Sequence, residues 1–224
     1  RENTEGFYSD RSMFFGRAEF MPSENMALSV RKITRKASMR IARTAFALAA
    51  QRRRKITVVH KANVFRVSDG LFLEAVRAVR DEFPDFEYEE QIVDAMAALL
   101  IRDPAKFDVI VTTNMYGDIL SDEASEIAGS LGMAASLNAG EHFAMAQAQH
   151  GSAPSLAGQD IANPSSLIGS AAMLLRWIAK RHDAPHFVPA AKAIESAIST
   201  AVANPRTRTR DLGGKLGTNA YTDK

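Results

Sequence analysis

The sequence predicts an α/β fold, with helices packed on a largely parallel sheet. Three observations carry this. Ile56-Thr57-Val58-Val59 and the run Asp108 to Thr112 are short and rich in β-branched residues, the composition of strands buried on both faces of a parallel sheet. Around them, apolar residues recur at the spacing of one helix face. The two patterns alternate along the chain, which is the order that strand–helix–strand units require.

In chain order, Tyr8 to Val30 holds Phe14, Phe15, Phe20 and Met21 among polar residues with no sustained helical period, so an extended arm or hairpin is expected. A helix is predicted from about Ser38, with Ile41, Ala42, Ala45, Phe46, Leu48 and Ala49 on one face, and the basic run Gln51 to Lys55 suits its C-terminal end. After the strand at Ile56, a second helix is expected with Asp69 as N-cap and Leu71, Phe72, Ala75, Val76 and Val79 inward. Phe86 to Glu90 reads as the next strand, followed by a short apolar helix, Ile92 to Ile101, closed by Pro104. The strand ending at Thr112 leads through Asn114 and Gly117 into a helix from about Ile119 to Leu131. From Gly129 and Gly132 to Pro164, small residues and turn-formers predict loop and a domain crossing. Helices are expected at Ser165 to Lys180 and Pro189 to Val202, then a polar tail with little to bury. No internal repeat is present.

With 224 residues and 46% hydrophobic content, the chain can bury one large core or two modest ones. Its 28 Lys and Arg nearly balance 26 Asp and Glu, so its charge gives no ground for a nucleic-acid or membrane partner, and small molecules are the expected partners. It has no cysteine, which excludes disulfides, thiolate metal sites and cysteine nucleophiles; carboxylates and histidines must carry any metal chemistry. No apolar run approaches the roughly 20 residues of a membrane span and the polar start is no signal peptide, so a cytoplasmic protein is expected. Arg1 to Gly6 opens inside a motif without an initiator Met, which leads us to expect more chain upstream.

Several groupings suit chemistry. Asp118 and Asp122, four apart on a helix that follows a parallel-type strand, share one face at the strand's C-terminal edge, where ligands of open α/β sheets bind. Two hard oxygen donors there suit Mg²⁺ or Mn²⁺; a helix-capping Asp118 with a solvated Asp122 is the competing reading. Asp94 lies among apolar residues at a helix start, where it either awaits a partner or answers the helix dipole. Lys61 follows a strand end, with Asn63 two residues on; it is either simply solvated or, if partly buried, a base near neutral pH. The loop Gly151-Ser152-Ala153-Pro154, after His150, offers backbone N–H groups to a phosphate or flat ring, or is an ordinary turn. No G-x-G-x-x-G is present.

In order along the chain, Arg1-Glu2-Asn3-Thr4-Glu5-Gly6 with Tyr8, His60-Lys61-Ala62-Asn63-Val64, Asn114 to Asp122 running on to Met133, and His150 to Pro154 through Ile161-Ala162-Asn163-Pro164 resemble the four motifs of the isocitrate/isopropylmalate dehydrogenase family. The resemblance spans nearly the whole chain. It implies that family's two-domain fold with an extended dimerisation arm: residues 1–128 as the smaller dimerising domain that holds substrate and metal, and 129–224 as the C-terminal half of the larger cofactor domain, whose first half precedes this chain. It implies NAD-linked oxidative decarboxylation of a 2-hydroxy diacid of the isocitrate, homoisocitrate, tartrate/D-malate or 3-isopropylmalate type. Asp118 and Asp122, with Asp94 of a second subunit, would hold Mg²⁺ or Mn²⁺; Lys61, also from that subunit, would assist deprotonation; Tyr8 would return a proton after CO₂ leaves; Arg1 and Asn63 would contact substrate. The implied assembly is a homodimer with shared sites. His150, Gly151, Ser152, Ala153, Pro154, Ser155 and Asn163 would form the cofactor site. Ser155 stands where NAD-using relatives typically carry Asp, and Arg210 lies near where NADP-using relatives place a phosphate contact, so NADP stays open behind NAD. A non-catalytic regulatory subunit of the same fold is the alternative, against which Tyr8, Lys61, Asp94, Asp118 and Asp122 stand together.

Overall fold

A computed structural model describes residues 1–9 and 13–224; residues 10–12 of the expected arm lie outside the described residues. The chain forms two compact units, Arg1–Glu123 and Ala124–Lys224. The first contains the hairpin β1 (Glu19–Ser23) and β2 (Met26–Ser29), helix α1 (Arg35–Ala49), β3 (Lys55–His60), α2 (Ser68–Arg80), β4 (Glu87–Ile92), α3 (Val93–Arg102), β5 (Val109–Thr112) and most of α4 (Asn114–Ile127). The second contains the hairpin β6 (Ala135–Ala139) and β7 (Ala144–Ala148), α5 (Ser165–Arg181), α6 (Phe187–Ala203) and the short α7 (Thr218–Thr222).

The α/β expectation is met in the first unit. Its sheet is parallel throughout, in the order β4-β3-β5. Ile56, Val58, Val109 and Val111 pack with Phe46 of α1 and Phe72, Val76 and Val79 of α2 in one apolar core. Phe46 stacks on Phe83 at 4.8 Å between ring centres. The register sets His60 of β3 beside Ile92 of β4, and Val59 beside Thr112 of β5. All three strands therefore end at one edge, which delivers Lys61, Asp94 and the start of α4 there. The expected hairpin also forms, and every residue of β1 and β2 is exposed.

Several local expectations are corrected. Helix α1 begins earlier than Ser38, because the Thr34 hydroxyl accepts from the Ala37 N–H at 3.3 Å and caps it. The basic run lies beyond its last turn: Arg52 and the Arg53 backbone N–H instead donate to Asp108, at 2.8 and 3.0 Å. Asp69 is not an N-cap but a fully buried carboxylate inside α2. Helix α4 starts at Asn114, so Gly117 and Asp118 lie within it and the capping reading of Asp118 falls. The stretch expected to be loop up to Pro164 contains the antiparallel β6–β7 hairpin. The tail does bury a residue: Tyr221 of α7 is 3% exposed, its hydroxyl 2.7 Å from that of Ser165.

Candidate active site

The first cluster is anchored by the opening segment. The Glu2 N–H donates to the Thr112 carbonyl at 3.1 Å, extending from the end of β5. The buried carboxylates of Glu2 and Glu5 then act as hooks. Glu2 accepts from the Glu5 N–H at 2.9 Å and from Arg40 at 3.1 Å; Glu5 accepts from the Thr34 N–H and hydroxyl at 2.8 and 2.7 Å. Gly6 makes two backbone bonds with Lys32, and the Asn114 amide donates to the Glu5 carbonyl at 2.9 Å. This pins Arg1 and Tyr8 against α4.

There, Arg1 donates through Nε to the Asn114 amide oxygen at 2.8 Å and pairs through a terminal nitrogen with Asp118. Tyr8 donates its hydroxyl to the other Asp118 oxygen at 3.2 Å, and the Arg1 guanidinium lies 5.8 Å from the Tyr8 ring centre. Gly117 permits the approach. A Cβ at that position would sit 2.7 Å from Arg1 Cγ and 2.8 Å from its Cβ. Asp122, one turn on, is exposed.

The second cluster is Lys61 with Asp94, Nζ to Oδ1 2.7 Å. Their strands are register neighbours, which explains the contact. The Lys61 hydrogen bond holds the Asp94 carboxyl below the usual carboxylate range. Asn63 is exposed in the turn that follows. Its neighbour His60 uses Nδ1 to accept the Ala62 N–H at 3.0 Å, and burial lowers its pKa. Among the described residues, no three His, Cys, Asp or Glu side chains converge as a metal site. The sheet order is consistent with this: Asp94 follows β4 and Asp118 follows β5, strands on opposite sides of β3 and about 10 Å apart. One chain thus holds two separate clusters at this edge.

In the second unit, a cavity of about 440 Å³ is lined by Leu131, Gly132, His150, Gly151, Ala153, Leu156, Ile161 and Ala162, with Ser130, Asn163 and Asp211 as polar groups. The expected loop residues Ser152, Pro154 and Ser155 flank this lining without being part of it, and Arg210 is exposed. Ala153 has a left-handed backbone, φ 42°. Asn163 is 7% exposed and its amide is committed at both ends, accepting from the Ser165 N–H at 3.0 Å and donating to Asp211 at 2.9 Å. Burial opposes the Asp211 charge, yet the bonds from Ser130 and Asn163 outweigh it and hold this carboxyl below its usual pKa.

Sequence reasoning missed Glu2, Glu5, Asn114 and Asp211 as site-building residues. Each has a partner far along the chain, as with Arg40 for Glu2, Thr34 for Glu5, Arg1 for Asn114 and Ser130 for Asp211, so no local pattern marks them.

The profile described as isocitrate/isopropylmalate dehydrogenase matches residues 1–224. The chain belongs to the isocitrate/isopropylmalate dehydrogenase family. Within this family it is 44% identical over 223 residues to the 3-isopropylmalate dehydrogenase of Sulfurisphaera tokodaii, covering 100% of this chain and 62% of that protein. It is 41% identical over 224 residues to the mitochondrial isocitrate dehydrogenase [NAD] catalytic subunit 5 of Arabidopsis thaliana, covering 99% and 56%. Among solved structures, the isocitrate dehydrogenase from Methylococcus capsulatus superposes with a TM-score of 0.89 at 39% identity, over 98% of this chain and 63% of that one. The chain thus spans about 60% of the length of the relatives it matches. Family membership agrees with the resemblance drawn from the four ordered motifs and with the α/β fold. No helix among the described residues is long and apolar enough to cross a membrane.

Proposed function

We propose that this chain is the catalytic part of a divalent-metal-dependent, NAD-linked dehydrogenase that converts a 2-hydroxy diacid to a 2-keto acid and CO₂. The observation that carries the reading is the meeting of Arg1, Tyr8 and Asp118 at the sheet edge that also bears Lys61 and Asp94. The substrate is of the isocitrate, homoisocitrate, tartrate/D-malate or 3-isopropylmalate type; relatives named for three of these match this chain at 41 to 44% identity.

Residues 1–128 would serve dimerisation, substrate and metal, and 129–224 the cofactor. The donor set fits Mg²⁺ or Mn²⁺: Asp118 and Asp122 share one helix face and Asp94 adds a third carboxylate from another subunit, with no thiolate present. When bound, the ion would make the substrate hydroxyl more acidic and polarise the ketone formed from it, while the nicotinamide takes up the hydride. The chain's own residues do the rest. Arg1 leaves Asp118 to clamp a substrate carboxylate. Lys61, parted from Asp94 and acting as the neutral amine, would receive the hydroxyl proton, and Tyr8 would deliver a proton to the carbon that has lost CO₂. Atoms balance as diacid plus NAD⁺ giving keto acid, CO₂ and NADH.

The cavity between Leu131 and Asp211 suits the adenine end of the cofactor, with the backbone around Asn163 facing it, since that side chain is already committed. We place NAD ahead of NADP because Asp211, not a cation, joins the lining. A homodimer is supported by the exposed β1–β2 hairpin, because Phe20, Met21, Met26 and Leu28 are 45 to 65% exposed and an isolated two-stranded hairpin is marginal in water. A water-soluble diacid suits an enzyme in an aqueous compartment, and we propose the cytoplasm. The regulatory-subunit alternative has no use for the full set of Tyr8, Lys61, Asp94, Asp118 and Asp122.

The test is an assay of the complete protein against a panel of 2-hydroxy diacids with NAD and NADP in parallel. Turnover should vanish in excess EDTA and return with Mg²⁺ or Mn²⁺. Full turnover in EDTA would contradict the metal site, and turnover of no diacid would contradict the reaction class.

A further inference from the structure

Arg31 takes no part in the chemistry proposed above, yet it is a heavily engaged cation of the first unit. Its side chain is only 7% exposed. One terminal nitrogen donates to Asp69 Oδ1 at 2.5 Å and to the Ser68 hydroxyl at 3.0 Å; the other donates to the Thr113 hydroxyl at 3.0 Å. The flat guanidinium also lies 5.7, 5.1 and 5.2 Å from the ring centres of Phe7, Phe65 and Tyr116. Aromatic faces and oxygen acceptors on one planar cation suit Arg and not Lys. The second oxygen of Asp69 accepts the Lys61 backbone N–H at 2.6 Å.

Each of these contacts belongs to a segment that carries a proposed catalytic group. Phe7 precedes Tyr8. Thr113 and Tyr116 straddle the start of the helix that bears Asp118 and Asp122. Phe65, Ser68 and Asp69 close the turn that opens at Lys61. We propose that Arg31, acting with Asp69, is a positioning residue that fixes Tyr8, Lys61 and the Asp118–Asp122 helix face relative to one another. The proposal rests on the catalytic reading of those residues. Its physical basis is that a buried charge pair has one good arrangement: any shift leaves an unpaired charge out of water, so the three segments share one geometry. Two branches leave this hub. The Asp69 branch ends on the Lys61 backbone, and the Thr113 branch on the N-terminus of α4.

The branches make the test selective. In the complete protein, Asp69→Asn should lower kcat roughly 10- to 100-fold while KM for the diacid stays within about threefold, because Lys61 acts in chemistry and not in binding. Thr113→Val removes one acceptor at nearly constant shape and is the milder variant if Asp69→Asn folds poorly. It should weaken Mn²⁺ binding roughly 10-fold, titrated with the metal alone and no substrate. Arg31→Lys should recover part of the kcat that Arg31→Met loses. Arg35→Met, which breaks only the exposed pair with Glu74, should change none of these readouts. A purely structural Arg31 would lower the folded fraction of each variant and leave kcat and Mn²⁺ affinity per folded molecule at wild-type values; that result overturns the proposal. A wild-type protein that oxidises no diacid overturns the catalytic reading instead, and this inference with it.

Discussion

Two ion pairs meet at the backbone of Lys61 and differ in how much water they see. Arg31 and Asp69 keep 7% and 0% of their side-chain exposure, and Asp69 grips the Lys61 N–H; Lys61 and Asp94, reaching the other way, keep 23% and 68%. A buried pair cannot exchange partners without stranding a charge in a low-dielectric interior, whereas an exposed pair exchanges against water at little cost. The Arg1–Asp118 pair, at 32% and 45%, falls on the exposed side. Fixed pairs therefore frame the site and exchangeable pairs populate it. On the proposed function, Asp94 and Asp118 would leave Lys61 and Arg1 for a metal ion, which would free Arg1 to turn to substrate and Lys61 to take the hydroxyl proton.

The comparison breaks most sharply at its buried member. Asp69→Ala strands the Arg31 charge and should cost about 3–5 kcal/mol in urea unfolding, while Lys61→Ala, measured in the same way, should leave the transition midpoint at its wild-type position. An equal loss for both would erase the distinction. Next in size is a disturbance of the exposed pair that touches no charge. Gly117→Ala sets a methyl group against Arg1, so KM for the diacid should rise roughly 10- to 100-fold with the fold intact by circular dichroism. An unchanged KM would show that Arg1 holds no substrate. The smallest effect calibrates the others: Arg43→Met breaks only an exposed pair with Glu82 and should cost at most about 0.5 kcal/mol of stability with kcat unaltered.

What the sequence revealed depended on how local the cause was. The parallel strands were legible because Ile56 to Val59 and Val109 to Val111 need only their own β-branched composition to declare burial. The β6–β7 hairpin was not, since Ala-Ser-Leu-Asn-Ala and Ala-Met-Ala-Gln-Ala carry no β-branched or aromatic residue, and their pairing is set by the partner strand. Gly117 read as a break before α4, whereas its role is to let Arg1, more than a hundred positions away, lie against the helix. Asp69 looked like a cap because caps and buried ion-pair partners share a residue type; only Arg31, 38 positions earlier, separates the two. Lys61, Asp94 and Asp118 stood out by their places at strand and helix ends and Tyr8 by the ordered motifs, but neither signal states that Lys61 pairs with Asp94 and Tyr8 with Asp118. That division follows from the strand order.

On the proposed function, this division leaves neither cluster alone an active site. Mixing Lys61→Ala protein with Asp118→Asn protein, under conditions that let subunits exchange, tests it directly. In each hybrid dimer one site collects both defects and the other collects neither. With random exchange at equal amounts, about half the dimers are hybrids with one intact site of two, so activity should rise from near zero in either parent to roughly a quarter of the wild-type rate. Continued inactivity after demonstrated subunit exchange, or an active monomer by sedimentation, would contradict the sharing of sites between chains.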